Sequence, residues 1–220
     1  MRDPSTPTES SRAERRDRAT TETRQAIVDA ARNALLADGY GALSTRRVAE
    51  LASVPLSQIH YHFGSKRQLI LAVLAGENER LLERQREMFA SPEPLWVRWD
   101  RACDFLEADL ASGYVRILQE MIAAGWSDAI VATIVREMLG GWTGLLAEVA
   151  RAEQDGGGDL GPFTRDEVAV LMAAPFLGAE ELILLGVTES TMPLRSALRK
   201  VGYLLRAVDG RDRDVDGAQP

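Results

Sequence analysis

Apolar residues along this chain recur at three- and four-residue intervals, and no stretch shows the strict alternation of a half-buried strand. The pattern predicts an all-α chain of about nine helices. From Thr21 to Asp38, Ile27, Ala30, Ala31, Ala34 and Leu35 form one helix face, which Gly39 ends. Between Ser44 and Leu69 the periods shorten. Val48, Ala49 and Ala52 mark a short helix, with Ser44 placed to cap it and Thr45 to open it. Ser53-Val54-Pro55 then breaks the pattern, because Pro55 lacks a backbone donor and disfavours helical geometry at Val54. Ile59 and Phe63 share a face of a second short helix, whose other side carries Ser57, Gln58, Tyr61 and His62. Gly64 suits a left-handed stop, and Ser65 with Gln68 is a capping-box signature for a new helix. Two short helices joined by such a turn are how a chain sets one helix into the major groove of DNA.

The remaining helices are longer. One runs from Lys66 to about Phe89 through Leu69, Leu71, Val73, Leu74, Leu81 and Leu82, then becomes polar, spanning on the order of 35 Å. Ser91-Pro92-Glu93-Pro94 is the clearest break. After it come a helix from Trp96 to near Gly113, another through Tyr114, Ile117, Leu118, Met121 and Ile122, and a long one from Ser127 to Val149. Asp155-Gly156-Gly157-Gly158-Asp159 reads as a loop. Thr164 caps a helix from Arg165 to Leu185 that is apolar nearly all round, with a kink expected at Pro175. The last helix, from about Pro193 to Val208, carries the stripe Leu194, Ala197, Leu198, Val201, Leu204, Leu205 and Val208. Residues 1–19 show no apolar periodicity and are expected to lack structure, as is the tail 209–220. The domains expected are a helix-turn-helix unit over 20–66 and a helical body over 67–208.

The stretch from Thr45 to Leu69 resembles, without gaps, the DNA-binding domain of the TetR (tetracycline repressor) family of bacterial regulators. The residues that carry the likeness are Thr45, Val48-Ala49, Val54, Ile59-His60-Tyr61-His62-Phe63, Ser65-Lys66 and Leu69. Ile27, Ala30, Ala31 and the Gly39-Tyr40 ending are similar to the family's first helix. Pro55 stands where the family usually has a Ser or Thr cap, Leu56 where a polar base-reading side chain is common, and His60 replaces the usual Tyr. The resemblance implies a transcriptional regulator, more often a repressor, released from its operator by a ligand held in the second domain. It also implies cytoplasmic location in a bacterium. On this reading Thr45, His60, Tyr61 and Lys66 hold phosphates, while Arg46, Leu56, Ser57 and Gln58 face base edges, with Arg47 beside them. For Leu56 two placements fit: over a thymine methyl, or turned inward to hold the turn with Val54.

Charge divides in the same place. Residues 1–67 carry 11 Lys/Arg against 8 Asp/Glu, and residues 68–220 carry 15 against 25. A mildly basic reader on an acidic body suits DNA contact at one end only. Arg12, Arg15, Arg16 and Arg18 form either a minor-groove arm or, with Glu14 and Asp17 among them, a solvated tail. The single cysteine, Cys103, fits a reducing compartment. No signal-peptide core is present, and no run is read as long enough to cross a membrane.

The last two helices carry more apolar surface than one small domain needs. Leu171, Gly178, Leu182 and Leu185, with Leu194, Leu198, Val201 and Leu205, form the expected interface of a homodimer; the family pairs these helices as a four-helix bundle, and a palindromic double-stranded DNA operator suits it. An intramolecular core is the other reading. Trp96, Trp99, Phe105, Tyr114, Met121, Trp126, Met138, Trp142 and Phe176 are candidates for a cavity holding a small hydrophobic or aromatic effector, with close packing as the alternative. Gly140, Gly141 and Gly144 around Trp142 fit either, and Glu180 and Glu181 are expected at a rim. No catalytic or metal-ligating constellation accompanies them: His60 and His62 are two apart and face different ways on a helix. No cofactor is expected. An architectural DNA-packaging protein without a ligand would need more positive charge than the acidic body allows.

Overall fold

The computed structural model describes residues 9–208, among which are nine helices and no strand. The chain forms two compact units, the first running to Leu74 and the second from Ala75. The division falls inside a helix, α4 (Lys66–Phe89), rather than at its start.

In the first unit, α1 (Glu9–Ala42) buries Ile27, Ala30, Ala31, Ala34 and Leu35, the face predicted by their spacing. It breaks at Gly39 (φ 77°, ψ 169°), the predicted stop, before one more turn. The helix starts at Glu9 rather than near Thr21, through residues expected to lack structure. Residues 13–20 are exposed, so packing does not hold this extension. It propagates from a formed helix, one bond per residue. The Thr20 and Thr23 hydroxyls donate to the Arg16 and Ala19 carbonyls at 2.8 Å. The first eight residues of the expected arm, and the tail from Asp209, lie outside the described residues.

Two short helices, α2 (Thr45–Leu51) and α3 (Leu56–Phe63), pack through Val48, Ala49, Ile59 and Phe63. Ser44 caps α2 by accepting from the Arg47 N–H at 3.2 Å. The turn after α2 is closed by the main chain. Ser53 takes a left-handed conformation (φ 54°), its N–H donates to the Glu50 carbonyl, and the Val54 N–H donates to Ala49 at 3.0 Å. That pair of bonds is the Schellman ending, with serine in the place glycine usually fills. Pro55 offers α3 no side-chain cap. At the start of α4 half of the expected box forms, Ser65 Oγ accepting from the Gln68 N–H at 3.2 Å.

The second unit holds the rest of α4 with α5 (Leu95–Ser112), α6 (Tyr114–Gly125), α7 (Ala129–Asp155), α8 (Arg165–Leu184) and α9 (Leu194–Val208). α5 packs along α9 and α7 along α8. Trp99 sits at the centre, 1% exposed, and its indole N–H donates to the Leu198 carbonyl at 2.7 Å. A buried ion pair joins Arg98 of α5 to Glu153 of α7, and Arg98 also donates to the Phe89 carbonyl at 2.8 Å. Thr164 and Glu167 form a complete capping box on α8, and these bonds hold the Glu167 carboxyl below its usual range. α8 runs unbroken through Pro175, which lies on its exposed side.

Two expectations change here. By length and composition α7 would cross a membrane; in this fold it packs against α6 and α8 and buries Val131, Val135, Met138, Leu145, Leu146 and Val149, as a core helix does. Only part of the stripe on α9 faces inward, with Ala197 and Leu204 exposed. Leu198 and Leu205 are buried in the core with Trp99, so these two belong to the chain's own interior, while Leu194 and Val201 are half-buried against it. Of the expected interface, Leu171, Gly178 and Leu185 stay exposed and Leu182 is half-buried. Other apolar residues share their exposure: Val170 on α8, and Tyr203 and Leu204 on α9, the last two at 70%.

The glycines of α7 are not close-packing sites. A methyl group on Gly140 or Gly144 would meet nothing within 4 Å, and on Gly141 only Leu82 Cδ1 at 3.7 Å. Gly144→Ala is therefore expected to stabilise the protein by about 1 kcal/mol, read as a higher urea midpoint at unchanged slope.

Candidate nucleic-acid interface and ligand cavity

The outward face of α3 is set by what its inward face buries. With Ile59 and Phe63 in the core, Leu56, Ser57, His60 and Tyr61 point outward at helical spacing, and Gln58 is half-buried beside them. Tyr61 is 75% exposed and Leu56 37%. Of the two placements for Leu56, this exposure favours the outward one. His60 Nδ1 lies 3.3 Å from the Gly64 carbonyl. From α2, Arg46 and Arg47 are exposed and Thr45 is half-buried; Arg47 lies a loose 3.9 Å from Glu50. An outward row of hydroxyl, amide, imidazole and phenol groups, flanked by two guanidiniums, can bond both phosphate oxygens and base edges.

Lys66 is committed more fully than its sequence position suggests. Its ammonium donates to the Tyr40 carbonyl at 2.8 Å and the Gly41 carbonyl at 3.4 Å, and lies 5.0 Å from the Tyr40 ring centroid. Partial burial holds its pKa below the ordinary lysine value. It pins the end of α1 to the start of α4, with one N–H left over from the three an ammonium carries. Arg15, Arg16 and Arg18 lie exposed along the first part of α1.

The second unit encloses a cavity of about 50 Å³. Trp99, Phe105, Tyr114, Met138, Trp142 and Phe176, six of the nine aromatic and methionine candidates, line it together. Phe176 lies between the two indoles, with centroids at 5.1 Å from Trp99 and 6.3 Å from Trp142. The other three lie elsewhere. Trp126 caps the end of α6 and is 81% exposed, Trp96 stacks under the Arg206 guanidinium at 4.0 Å, and Met121 is fully buried without lining the cavity. Nearness in sequence to the other large side chains does not say which neighbour a side chain meets.

The polar part of the wall escaped the sequence reading. Asn78, Leu81, Gln85 and Phe89 fall on one face of α4, so polar residues of this helix line the cavity. Their spacing of three, four and four was the available signal. Gln85 accepts from the Trp142 indole at 2.8 Å, and the Tyr114 hydroxyl lies 3.4 Å from Asn78 Oδ1. Burial pushes the Tyr114 phenol upward. Asp109 accepts two bonds from Arg84, at 2.6 and 2.8 Å, and burial still raises its pKa. Glu180, expected at a rim, is buried in the wall, where the Gln119 amide donates to it at 3.2 Å. Burial pushes its carboxyl up to about 7. Glu181 is exposed.

Residues 27–73 match the family of bacterial regulatory proteins, tetR family. No curated protein matches the chain in sequence. Among solved structures it is similar to a transcriptional regulator of the TetR family from Agrobacterium tumefaciens, with TM-score 0.70, 16% identity, and coverage of 86% of this chain and 98% of that one. The transcriptional regulator FadR from Bacillus subtilis, in complex with stearoyl-CoA, gives TM-score 0.69, 15% identity, and coverage of 84% and 98%. A protein described as a transcriptional regulator from Saccharomonospora viridis, in complex with choline, gives 0.68, 20%, and coverage of 82% and 95%. At such identities the likeness is one of fold.

Proposed function

We propose, for a chain whose residues 27–73 match the tetR family of bacterial regulatory proteins, that it is a homodimeric, sequence-specific DNA-binding repressor released from a palindromic operator by a small ligand. The observation that carries this is the outward face of α3, which presents Leu56, Ser57, His60 and Tyr61 while Ile59 and Phe63 anchor it. Arg46, Leu56, Ser57 and Gln58 read base edges. Thr45, His60 and Tyr61 hold phosphates, Arg47 lies beside them, and Lys66 adds its remaining N–H. The cavity takes the ligand. α4 is continuous from Lys66 to Phe89, and its Asn78, Leu81, Gln85 and Phe89 wall the cavity, so one helix belongs to both events. The cavity is smaller than a ligand, and Met138 and Met172 in its wall are side chains that yield readily. Relatives of this fold hold an acyl-CoA and choline, so the fold does not select the ligand class.

The dimer rests on Val170, Leu171 and Gly178 of α8 and Leu185 just past its end, with Tyr203 and Leu204 of α9, exposed apolar residues that a second copy would cover. Its two α3 helices would enter successive major grooves, about 34 Å apart.

Selection of bound fragments from genomic DNA tests the reading. A palindromic motif is expected, with Arg46→Ala relaxing preference at one position per half-site by roughly 1–3 kcal/mol. Tyr61→Phe should weaken all sequences about equally. Enrichment without any motif would replace this reading with that of an architectural protein.

A further inference from the structure

The cavity is apolar and aromatic over most of its wall, yet it contains two carboxyl groups, Asp109 and Glu180. They are not equivalent. Asp109 is answered by Arg84, whose Nη2 donates to both carboxylate oxygens and whose guanidinium also lies 4.2 Å from the Phe105 ring centroid. Glu180 receives one neutral donor, Gln119, and no cation among the described residues forms an ion pair with it. Nothing in the chain's own packing requires a carboxyl there: the neighbouring wall of α8 is Met172, Phe176 and Leu177.

A buried carboxylate without a cation is costly unless a ligand supplies one. An anionic ligand would add a third negative group to the same enclosure. A positive ligand would complete the charge of Glu180 and lie among the rings of Trp99, Trp142 and Phe176, which attract cations through their faces. Resting on the reading of this cavity as the effector site, we propose that the effector is a monocation with an apolar body, an aliphatic or aromatic ammonium, whose charge Glu180 neutralises.

The groups around Glu180 support a titration signature. Gln119 and Tyr114 face it from α6 and Asp109 acts on it from α5, while α7 contributes Met138, Leu139, Trp142 and Leu146, none titratable in this range. With its carboxyl pushed up to about 7, Glu180 is largely protonated in mild acid and ionised above neutrality. Only the ionised form attracts a cation. Affinity for a permanently charged ligand therefore rises with pH, by roughly tenfold per unit below the pKa and not above it.

Phenyltrimethylammonium and its neutral isostere tert-butylbenzene are the probes, titrated calorimetrically into the full-length chain. The expected result is a preference of about tenfold or more for the cation, growing from mildly acid to mildly alkaline pH. Glu180→Gln should fold, keep its affinity for tert-butylbenzene, and lose both the preference and the pH dependence. Equal or tighter binding of the neutral isostere overturns the cation class and leaves the effector cavity standing. Retention of the preference in Glu180→Gln overturns the role of Glu180. Failure of both probes to bind overturns the proposal and the effector reading of the cavity together, while the DNA selection still reports on the first unit.

Discussion

Arg98→Ala lowers the stability of the folded chain by roughly 3–5 kcal/mol, a large share of what a domain of this kind possesses. Arg98 is 4% exposed and Glu153 7%, so neither group has water to fall back on. The guanidinium bonds the Glu153 carboxylate and the Phe89 carbonyl, tying α5 to the last turn of α4 and to the end of α7. Alanine leaves a buried carboxylate and a backbone acceptor without partners, and removes the packing of the long side chain. The loss is measured as a lower urea midpoint. The double variant Arg98→Met with Glu153→Leu should recover most of it, because replacing both charges with apolar groups removes their desolvation penalty. A small loss in Arg98→Ala, or no recovery in the double variant, would show that water reaches the pair.

Leu171→Glu and Leu198→Glu fail in different ways. Leu171 is 56% exposed on α8, so a charge there harms the monomer little and puts two carboxylates into the proposed dimer face. The variant should sediment as a folded monomer at micromolar concentration. Without two half-site contacts its operator affinity should fall toward the non-specific level, roughly a thousandfold or more. Leu198 is 4% exposed, and its carbonyl accepts from Trp99. A glutamate there buries an unpaired charge at the centre of the unit, costing roughly 4 kcal/mol or more, and should prevent folding. A dimeric Leu171→Glu would move the interface away from α8.

What the sequence revealed and what it hid follow from the range of the interactions involved. Helix faces repeat locally, so Ile27, Ala30, Ala31, Ala34 and Leu35 were legible, as were the Ser44 cap and the Thr164 box. The reader face was legible because Ile59 and Phe63, four apart, leave Ser57 and Tyr61 nowhere to point but out. Partners were not legible. The stripe on α9 is unmistakable, but the same stripe serves α5 within the chain or a second copy outside it, and here Leu198 and Leu205 serve α5 while Leu204 stays exposed. The Arg98–Glu153 pair spans 55 residues and leaves no periodic trace. Glu180 looked like a rim residue because a lone acid in an apolar helix usually is one; only the convergence of α4, α5, α6 and α7 on its side of α8 makes it part of an enclosed wall.

The turn between α2 and α3 is closed without any side chain, by the Ser53 and Val54 amides folding back onto Glu50 and Ala49. Its specification is written in the main chain, which every residue but proline supplies equally. Substitution at position 53 therefore alters the energy of the left-handed bend by about 1 kcal/mol without altering its course. Ser53 and Val54, two of the four residues between the scaffold helix and the reader helix, can then drift widely under neutral change. A signature that demands glycine at this corner would pass over the chain, even though the geometry it seeks is fully present.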